Sequence, residues 1–335
     1  MPPAIPVTFS IIIPTRNRPS LFANALASVL AQTCEEIEIV VVNDGSDETH
    51  TASYEAVIGS ACRAVRYYTL PRRPQGHGTS YARNFGVAHV RGSYLCFLDD
   101  DDWWTDPEYL ERVRGIVLRR EGQVDLHLSN QAAFLHDTRK MGPIWIEALA
   151  DQLKTAARMP QDDGVYAVTV MDLLGCGGFC NLNTLTVRRE LFEDVGALDE
   201  SIRWEMDHDL NLRLLDRAGS ILYAPQFVAR HNIPDPAKTD NVTTALSEIG
   251  RRLDQLRVFD KAAIYAAHPA IRAYGRRHRG YTLKRIAESL AARQDFVTAY
   301  YYARMALGAL PTAKWAAYTA VLATRAAFQR RDRRT

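Results

Sequence analysis

The chain is poor in cysteine, and what it has does not pair. Cys34, Cys62, Cys96, Cys176 and Cys180 are an odd, scattered set, which argues against a disulfide framework and for a reducing compartment. Cys176 and Cys180 lie close together, but no second pair completes a zinc site. Long apolar runs are missing too: none approaches the ~18 residues that a membrane span needs. The N-terminus reaches a strand-like run within about ten residues and lacks the charged region of a secretory leader. The expectation is a cytoplasmic protein, at most peripheral to the inner face of a membrane. Net charge is only +2 over 335 residues, so no global field draws nucleic acid, and no such partner is expected. No internal repeat is convincing, although residues 287–310 have the pattern of a helical hairpin.

What is present is an ordinary globular composition, 47% hydrophobic and 24% charged, in a chain long enough for about two domains. Its most informative stretch runs from Tyr94 to Trp104. Tyr94-Leu95-Cys96-Phe97-Leu98 has strand composition and leads straight into Asp99, Asp100, Asp101 and Asp102, then Trp103 and Trp104. Four adjacent anions repel one another and are costly inside a helix or strand. They suit the C-terminal end of a buried strand, where open α/β sheets bind ligands. There they could hold a hard divalent cation, which takes oxygen ligands and shares them with substrate phosphates. The bland alternative is a solvated acidic loop in which Asp102 or Thr105 caps the next helix.

Around this stretch the chain alternates. A β-branched run from Val7 ends at Pro14, a helix covers 19–32, and strands are expected at 37–42, 64–68 and 94–98, with helices near 54–58 and 81–90 between them. This alternation argues for a parallel sheet covered on both faces, with Thr15, Arg16, Asp44 and the four Asp at one end. Beyond it, 108–120 and 205–218 read as helices, and 124–134, 181–187 and 220–229 as extended; 140–163 cannot be placed. After Asp235-Pro236 the composition turns to Ala, Arg, Tyr and Leu at helical spacing. We expect a domain over 1–240, with a nucleotide-binding half over 1–105 and an acceptor half over 106–240, and a helical region over 241–335. Lys and Arg outnumber Asp and Glu after Arg251, weak evidence for an anionic partner.

In this order the segments resemble one family, the family 2 glycosyltransferases with the GT-A type nucleotide-diphospho-sugar fold. The resemblance is carried by Ser10-Ile11-Ile12-Ile13-Pro14-Thr15-Arg16-Asn17-Arg18, Val40-Val41-Val42-Asn43-Asp44-Gly45-Ser46, Ala82-Arg83-Asn84-Phe85-Gly86, the acidic run, Val195-Gly196-Ala197-Leu198-Asp199-Glu200 and Asp207-His208-Asp209-Leu210-Asn211-Leu212-Arg213. It spans roughly residues 7 to 231. It implies a mainly parallel sheet between helices with a C-terminal helical extension, and a metal-dependent, inverting transfer of a sugar from a nucleoside diphosphate donor, a UDP-sugar first, to an acceptor hydroxyl. The setting implied is bacterial-type polysaccharide or glycoconjugate synthesis.

Carried over by residue, the resemblance puts Pro14, Thr15, Arg16 and Asp44 in the pocket for base and ribose, with Asp44 accepting from the base imino group. Arg83 faces the diphosphate or braces the loop. Asp99 lies by the ribose and metal, Asp101 coordinates Mn²⁺ or Mg²⁺, Asp102 supports the loop, and His231 completes the metal shell. Asp100 is an extra charge that should tighten the cation or raise a carboxylate pKa. Asp207 is the general base, with Glu205 as its substitute; Met206 departs from the family's Glu. Trp103 and Trp204 could stack on a sugar, and Gly178 would let the backbone approach one. The acceptor is a glycan or a lipid-linked molecule, and the C-terminal helices would serve membrane contact or a homodimer. A non-catalytic nucleotide-sugar-binding subunit and a sugar nucleotidyltransferase are the rivals; the latter normally has a Gly-rich loop after the first strand, absent from Pro14–Arg18.

Overall fold

A computed structural model describes residues 8–142, 144–234 and 246–332. Val7, the boundary expected near 240, and Arg333 and Arg334 of the basic tail lie outside them. The chain forms two compact units, Met1–Ser201 with Met206–Ala237, and Ile202–Glu205 with Lys238–Thr335.

In the first unit, β1 (Phe9–Thr15), α1 (Pro19–Leu30), β2 (Ile37–Asn43), α2 (Thr51–Gly59), β3 (Val65–Thr69), α3 (Thr79–Val87) and β4 (Tyr94–Phe97) alternate along the chain. The β1 residues are buried on both faces. Phe9, Ile11 and Ile13 share a core with Phe22, Leu26 and Val29 of α1. Ile12 meets α3 at Gly86, where a Cβ would come within 2.6 Å of its Cγ2. That close approach explains the glycine. Strand β1 continues through Pro14 rather than stopping at it, because its ladder with β4 pairs only Phe9–Ile12 and the missing N–H falls beyond it.

The remaining elements are β5 (Trp103–Trp104), α4 (Tyr109–Arg119), β6 (Leu126–Leu135), β7 (Thr138–Arg139), α5 (Ala148–Thr155), β8 (Tyr166–Ala167), α6 (Val170–Gly175), β9 (Leu185–Arg188), α7 (Arg189–Asp194), α8 (Met206–Arg217) and β10 (Ile221–Asn232). Helix α5 fills part of the stretch that could not be placed from sequence. The sheet order is β3-β2-β1-β4-β9-β6-β10-β5, with β7 on β6 and β8 on β10. Strands β1 to β4 pair in parallel, β9 runs antiparallel between β4 and β6, and β10 is parallel to β6. The sheet is therefore mixed, flanked by helices.

In the second unit, α9 (Glu248–Tyr265), α10 (Pro269–Ala292), α11 (Phe296–Ala309) and α12 (Ala313–Asp332) follow in sequence. Ala299, Ala303 and Ala306 line one face of α11 and pack with Leu283, Ala287, Trp315 and Leu322. At Gly275 a Cβ would lie 2.5 Å from the Ala263 backbone, so α9 and α10 cross closely. Trp204 N donates to Asp254 at 3.2 Å and Glu205 accepts from Gln255 at 2.8 Å, which ties the 202–205 segment to α9. Among the described residues, no helix is long and apolar enough to cross a membrane.

Candidate active site

The C-terminal ends of β1, β2 and β4 point the same way, as parallel pairing requires, and the loops that follow them bring the polar residues together. Leu98 N still bonds Ile12 O at 3.1 Å, and the acidic run starts one residue later. Its four carboxylates do not act as one group. Oxygens of Asp99, Asp101 and Asp102 lie within 4.8 Å of one another, and Asp100 is not among them. Asp100 is 1% exposed; it accepts from Thr15 Oγ1 at 2.7 Å and pairs with Arg18 Nη2 at 2.6 Å. Arg18 Nη1 reaches Asp101 at 2.9 Å. Burial pushes both Asp100 and Asp101 above the usual carboxylate range, with Asp102 adding to the rise at Asp101 and Arg18 opposing it at both. The extra charge thus faces Thr15 and Arg18, not the space between the other three.

Asp102 is fully buried, and its charge is met by three groups distant in sequence. Asn183 Nδ2 donates at 2.5 Å, Asn232 N at 2.7 Å and His231 Nδ1 lies at 2.6 Å. Burial alone would lower the His231 pKa; the charge and hydrogen bond of Asp102 outweigh it and carry it up to about 9. His231 is therefore a charge partner of Asp102 in this structure, outside the three-carboxylate group. Asp102 joins that group as well as supporting the loop. Asn183 also accepts from Asp99 N at 3.0 Å, so one side chain holds both ends of the run.

Arg83, 1% exposed, pairs with Asp99, and its Nε and Nη1 are buried without a hydrogen-bond partner among the described residues. Three hard oxygen donors close together beside a buried, partly unsatisfied guanidinium are a chemical fit for a divalent cation and an anionic ligand. A second ligand-type group, Cys34, Glu36 and Glu111, fits less well: Arg114 takes Glu36 at 2.7 Å and Glu111 at 3.4 Å, and burial pushes the Cys34 thiol up to about 11.

Residues 10–127 match the family model described as Glycosyl transferase family 2. Over this stretch the chain is similar to the family 2 glycosyltransferases. It is 26% identical over 250 residues to an uncharacterised glycosyltransferase of Rickettsia typhi, covering 71% of this chain and 68% of that one. The structure of S. aureus TarS 1–349 in complex with UDP-GlcNAc superposes with a TM-score of 0.68 at 15% identity, over 96% of this chain and 88% of that one. The mannosyltransferase PcManGT from Pyrobaculum calidifontis, in complex with GDP-Man and Mn²⁺, gives 0.57 at 16% identity, over 98% and 88%. The fold is of the GT-A type.

In this glycosyltransferase the residues expected around a nucleotide hold one another. Pro14 and Thr15 are buried in β1, and the Thr15 hydroxyl is spent on Asp100 and Tyr54. Arg16 Nη2 donates to the carbonyls of Arg73 and Pro74 at 3.0 and 3.1 Å. Asp44 accepts from His77 N at 2.8 Å and Gly78 N at 3.0 Å, and its Oδ1 lies 2.8 Å from His77 Nδ1. Gly76, at φ +65°, has no room for a Cβ against the Asp44 carboxylate. The 71–78 loop is thus clasped over the ends of β1 and β2.

Asp207 lies in the first turn of α8, where the helix end favours negative charge; its Oδ1 accepts from His208 N at 2.9 Å. Asn211 Nδ2 donates to the Asp207 carbonyl at 2.8 Å and the Cys180 carbonyl at 2.7 Å, tying this turn to the segment that carries Asn183. Asp209 is structural: Arg213 pairs with it at 2.6 Å and donates to the carbonyls of Val195 and Ala197. Asn84 reaches the same turn through Leu198.

The residues expected at a sugar have the following surroundings. A Cβ on Gly178 would collide with the Trp145 carbonyl, so the space next to it is taken by this chain's own backbone. Arg230 lies over the Trp103 ring at 4.7 Å and covers one of its faces. Trp204, expected at a sugar, and Glu205, expected as the substitute base, fall in the second unit. Sequence reasoning does not single out Arg18, Asn183, Asn232 or His77. Arg18 alone left a signal, a third polar residue directly after β1; a lone Asn in an extended stretch leaves none.

Proposed function

We propose that this glycosyltransferase transfers a sugar from a nucleoside diphosphate donor, UDP-linked in the first instance, to an acceptor hydroxyl with inversion, and that it depends on a divalent cation. One observation carries the reading: three carboxylates cluster after β4, and the 180–183 segment that holds Asp102 through Asn183 is also bound at its Cys180 carbonyl by Asn211, which donates to the backbone carbonyl of Asp207 as well. Asp99, Asp101 and Asp102 would hold the cation, Mn²⁺ before Mg²⁺, with His231 keeping Asp102 oriented and open to acting as a ligand once deprotonated. When bound, the cation neutralises charge on the departing diphosphate.

The other steps belong to this chain's own groups. Arg83 supplies a fixed, desolvated positive charge beside Asp99 for the phosphates. Asp207 takes the proton from the acceptor hydroxyl as its oxygen attacks the anomeric carbon on the face opposite the leaving group, help worth ~10²–10⁴-fold. Asp44 and Arg16, holding the 71–78 loop, shape the side where the base would lie. The neighbour bound to UDP-GlcNAc supports uridine, and the one with GDP-Man and Mn²⁺ makes guanosine the second donor to try and Mn²⁺ the first cation.

For the acceptor we propose a glycan or lipid-linked molecule of polysaccharide or glycoconjugate synthesis. Over residues 246–332 sixteen Lys and Arg face six Asp and Glu, which supports the second unit meeting an anionic surface, with a homodimer as the competing use. The test is nucleotide release from a panel of UDP- and GDP-sugars with Mn²⁺ or EDTA. Release should need the cation and should drop at least ~10²-fold in Asp101→Asn; a rate indifferent to EDTA and to that substitution would sink the cation-dependent reading.

A further inference from the structure

Asp100 adds a fourth carboxylate to a run in which three already cluster, and a fully buried anion needs a reason. Its two oxygens are both occupied, Oδ2 by Thr15 and Oδ1 by Arg18 Nη2. The same guanidinium places Nη1 on Asp101 Oδ2 at 2.9 Å. One cation thus spans two carboxylates, and only one of the two belongs to the cluster proposed to hold the divalent ion.

The two ends differ in freedom. Asp100 is 1% exposed, whereas the Asp101 side chain is 27% exposed, as is that of Arg18. The Arg18 backbone is held, since its N–H donates to Tyr54 Oη at 3.0 Å and Pro19 restricts its φ/ψ. What can move is the outer edge of the guanidinium. A divalent cation coordinated ~2.1–2.4 Å from an Asp101 oxygen would sit close to a like-signed group that cannot lose its proton.

We propose that Arg18 is an internal counter-cation: it neutralises Asp101 until the divalent cation arrives, then yields Asp101, stays anchored on Asp100, and turns its freed N–H edge to the donor's diphosphate. This rests on the reading that Asp99, Asp101 and Asp102 hold the cation, and it gives Asp100 its role as the anchor that keeps Arg18 at the site. The consequence is linkage. Cation alone binds weakly because it must displace an ion pair, and a nucleoside diphosphate strengthens it by accepting the displaced guanidinium; the strengthening is reciprocal.

The experiment is titration of the full chain with Mn²⁺, free ion being counted by electron paramagnetic resonance, with and without UDP. Arg18→Gln should bind Mn²⁺ alone about tenfold more tightly than the unsubstituted protein, and the enhancement by UDP should shrink by a similar factor. Equal or weaker Mn²⁺ binding in Arg18→Gln, with the unsubstituted protein binding normally, overturns the inference and leaves the cation site standing. Absence of saturable Mn²⁺ binding in every protein, with or without UDP, overturns both. If Arg18→Gln fails to melt cooperatively, Arg18→Lys decides: its ammonium cannot span both carboxylates, so a modest gain in Mn²⁺ affinity supports the inference and a loss refutes it.

Discussion

The amide of Asn183 donates to the Asp102 carboxylate at 2.5 Å across 81 positions of sequence. Its own carbonyl accepts the Asp99 N–H, so the loop carrying the acidic run is held from the opposite side of the β4–β9 junction. Asn183→Leu should therefore act twice. Removing one of three donors to the buried Asp102 carboxylate and the acceptor of the Asp99 N–H should cost about 2–4 kcal/mol by urea unfolding. Mn²⁺ affinity should fall as well, because Asp99 and Asp102 lose their common support. An unchanged Mn²⁺ titration would mean the loop keeps its shape without this residue.

The His231–Asp102 pair predicts a pH dependence. The folded pKa of His231, about 9, lies above its ordinary 6.5, so its stabilisation is complete below pH 6.5 and is lost as pH rises through about 9. In metal-free protein, His231→Gln should be less stable than the parent by about 2–3 kcal/mol at pH 6, with the gap closing by pH 10. Denaturant midpoints at both pH values test this. A gap that is the same at pH 6 and pH 10 would show that His231 packs rather than pairs.

Buried Asp209 pairs with the partly exposed Arg213, which also donates to the carbonyls of Val195 and Ala197. Arg213→Met takes the ion pair from Asp209, 2% exposed, and should lower stability by about 2–4 kcal/mol. Adding Asp209→Leu should recover part of that loss by removing the buried charge. If the double variant melts no higher than the single one, the carbonyl clasp and not the ion pair carries the energy.

Asp207→Asn should retain nucleotide and Mn²⁺ affinity within about threefold while sugar transfer falls at least ~10²-fold. Equilibrium binding and product formation are measured on the same preparation. Transfer at the unsubstituted rate would remove Asp207 from the base role.

Neighbouring glycines should respond differently. Gly177 sits at φ +79° with nothing within 4 Å of where a Cβ would stand, so Gly177→Ala should cost only about 1 kcal/mol of backbone strain. At Gly178 the Cβ meets the fixed Trp145 carbonyl, and Gly178→Ala should cost more, about 2–3 kcal/mol. Thermal melts of the two variants decide, and the reverse order would show that the Trp145 segment gives way freely.

By itself the amino-acid order determined whatever depends on near neighbours. The β-branched run of β1, the helical spacing of α1 and the apolar stretch ending at Leu98 declare their elements because side-chain period is a local property. It also placed the acidic run at a strand end, since four anions tolerate few other settings. Tertiary structure alone decided how those anions divide. Which carboxylates cluster depends on Thr15 and Arg18 drawing Asp100 away, and on Asn183, His231 and Asn232 holding Asp102 from 81, 129 and 130 positions further along the chain. The antiparallel insertion of β9 was likewise invisible, because four residues paired on both sides carry no direction in their order. Adjacent side chains on an irregular loop point where distant partners pull them, and no periodicity encodes that.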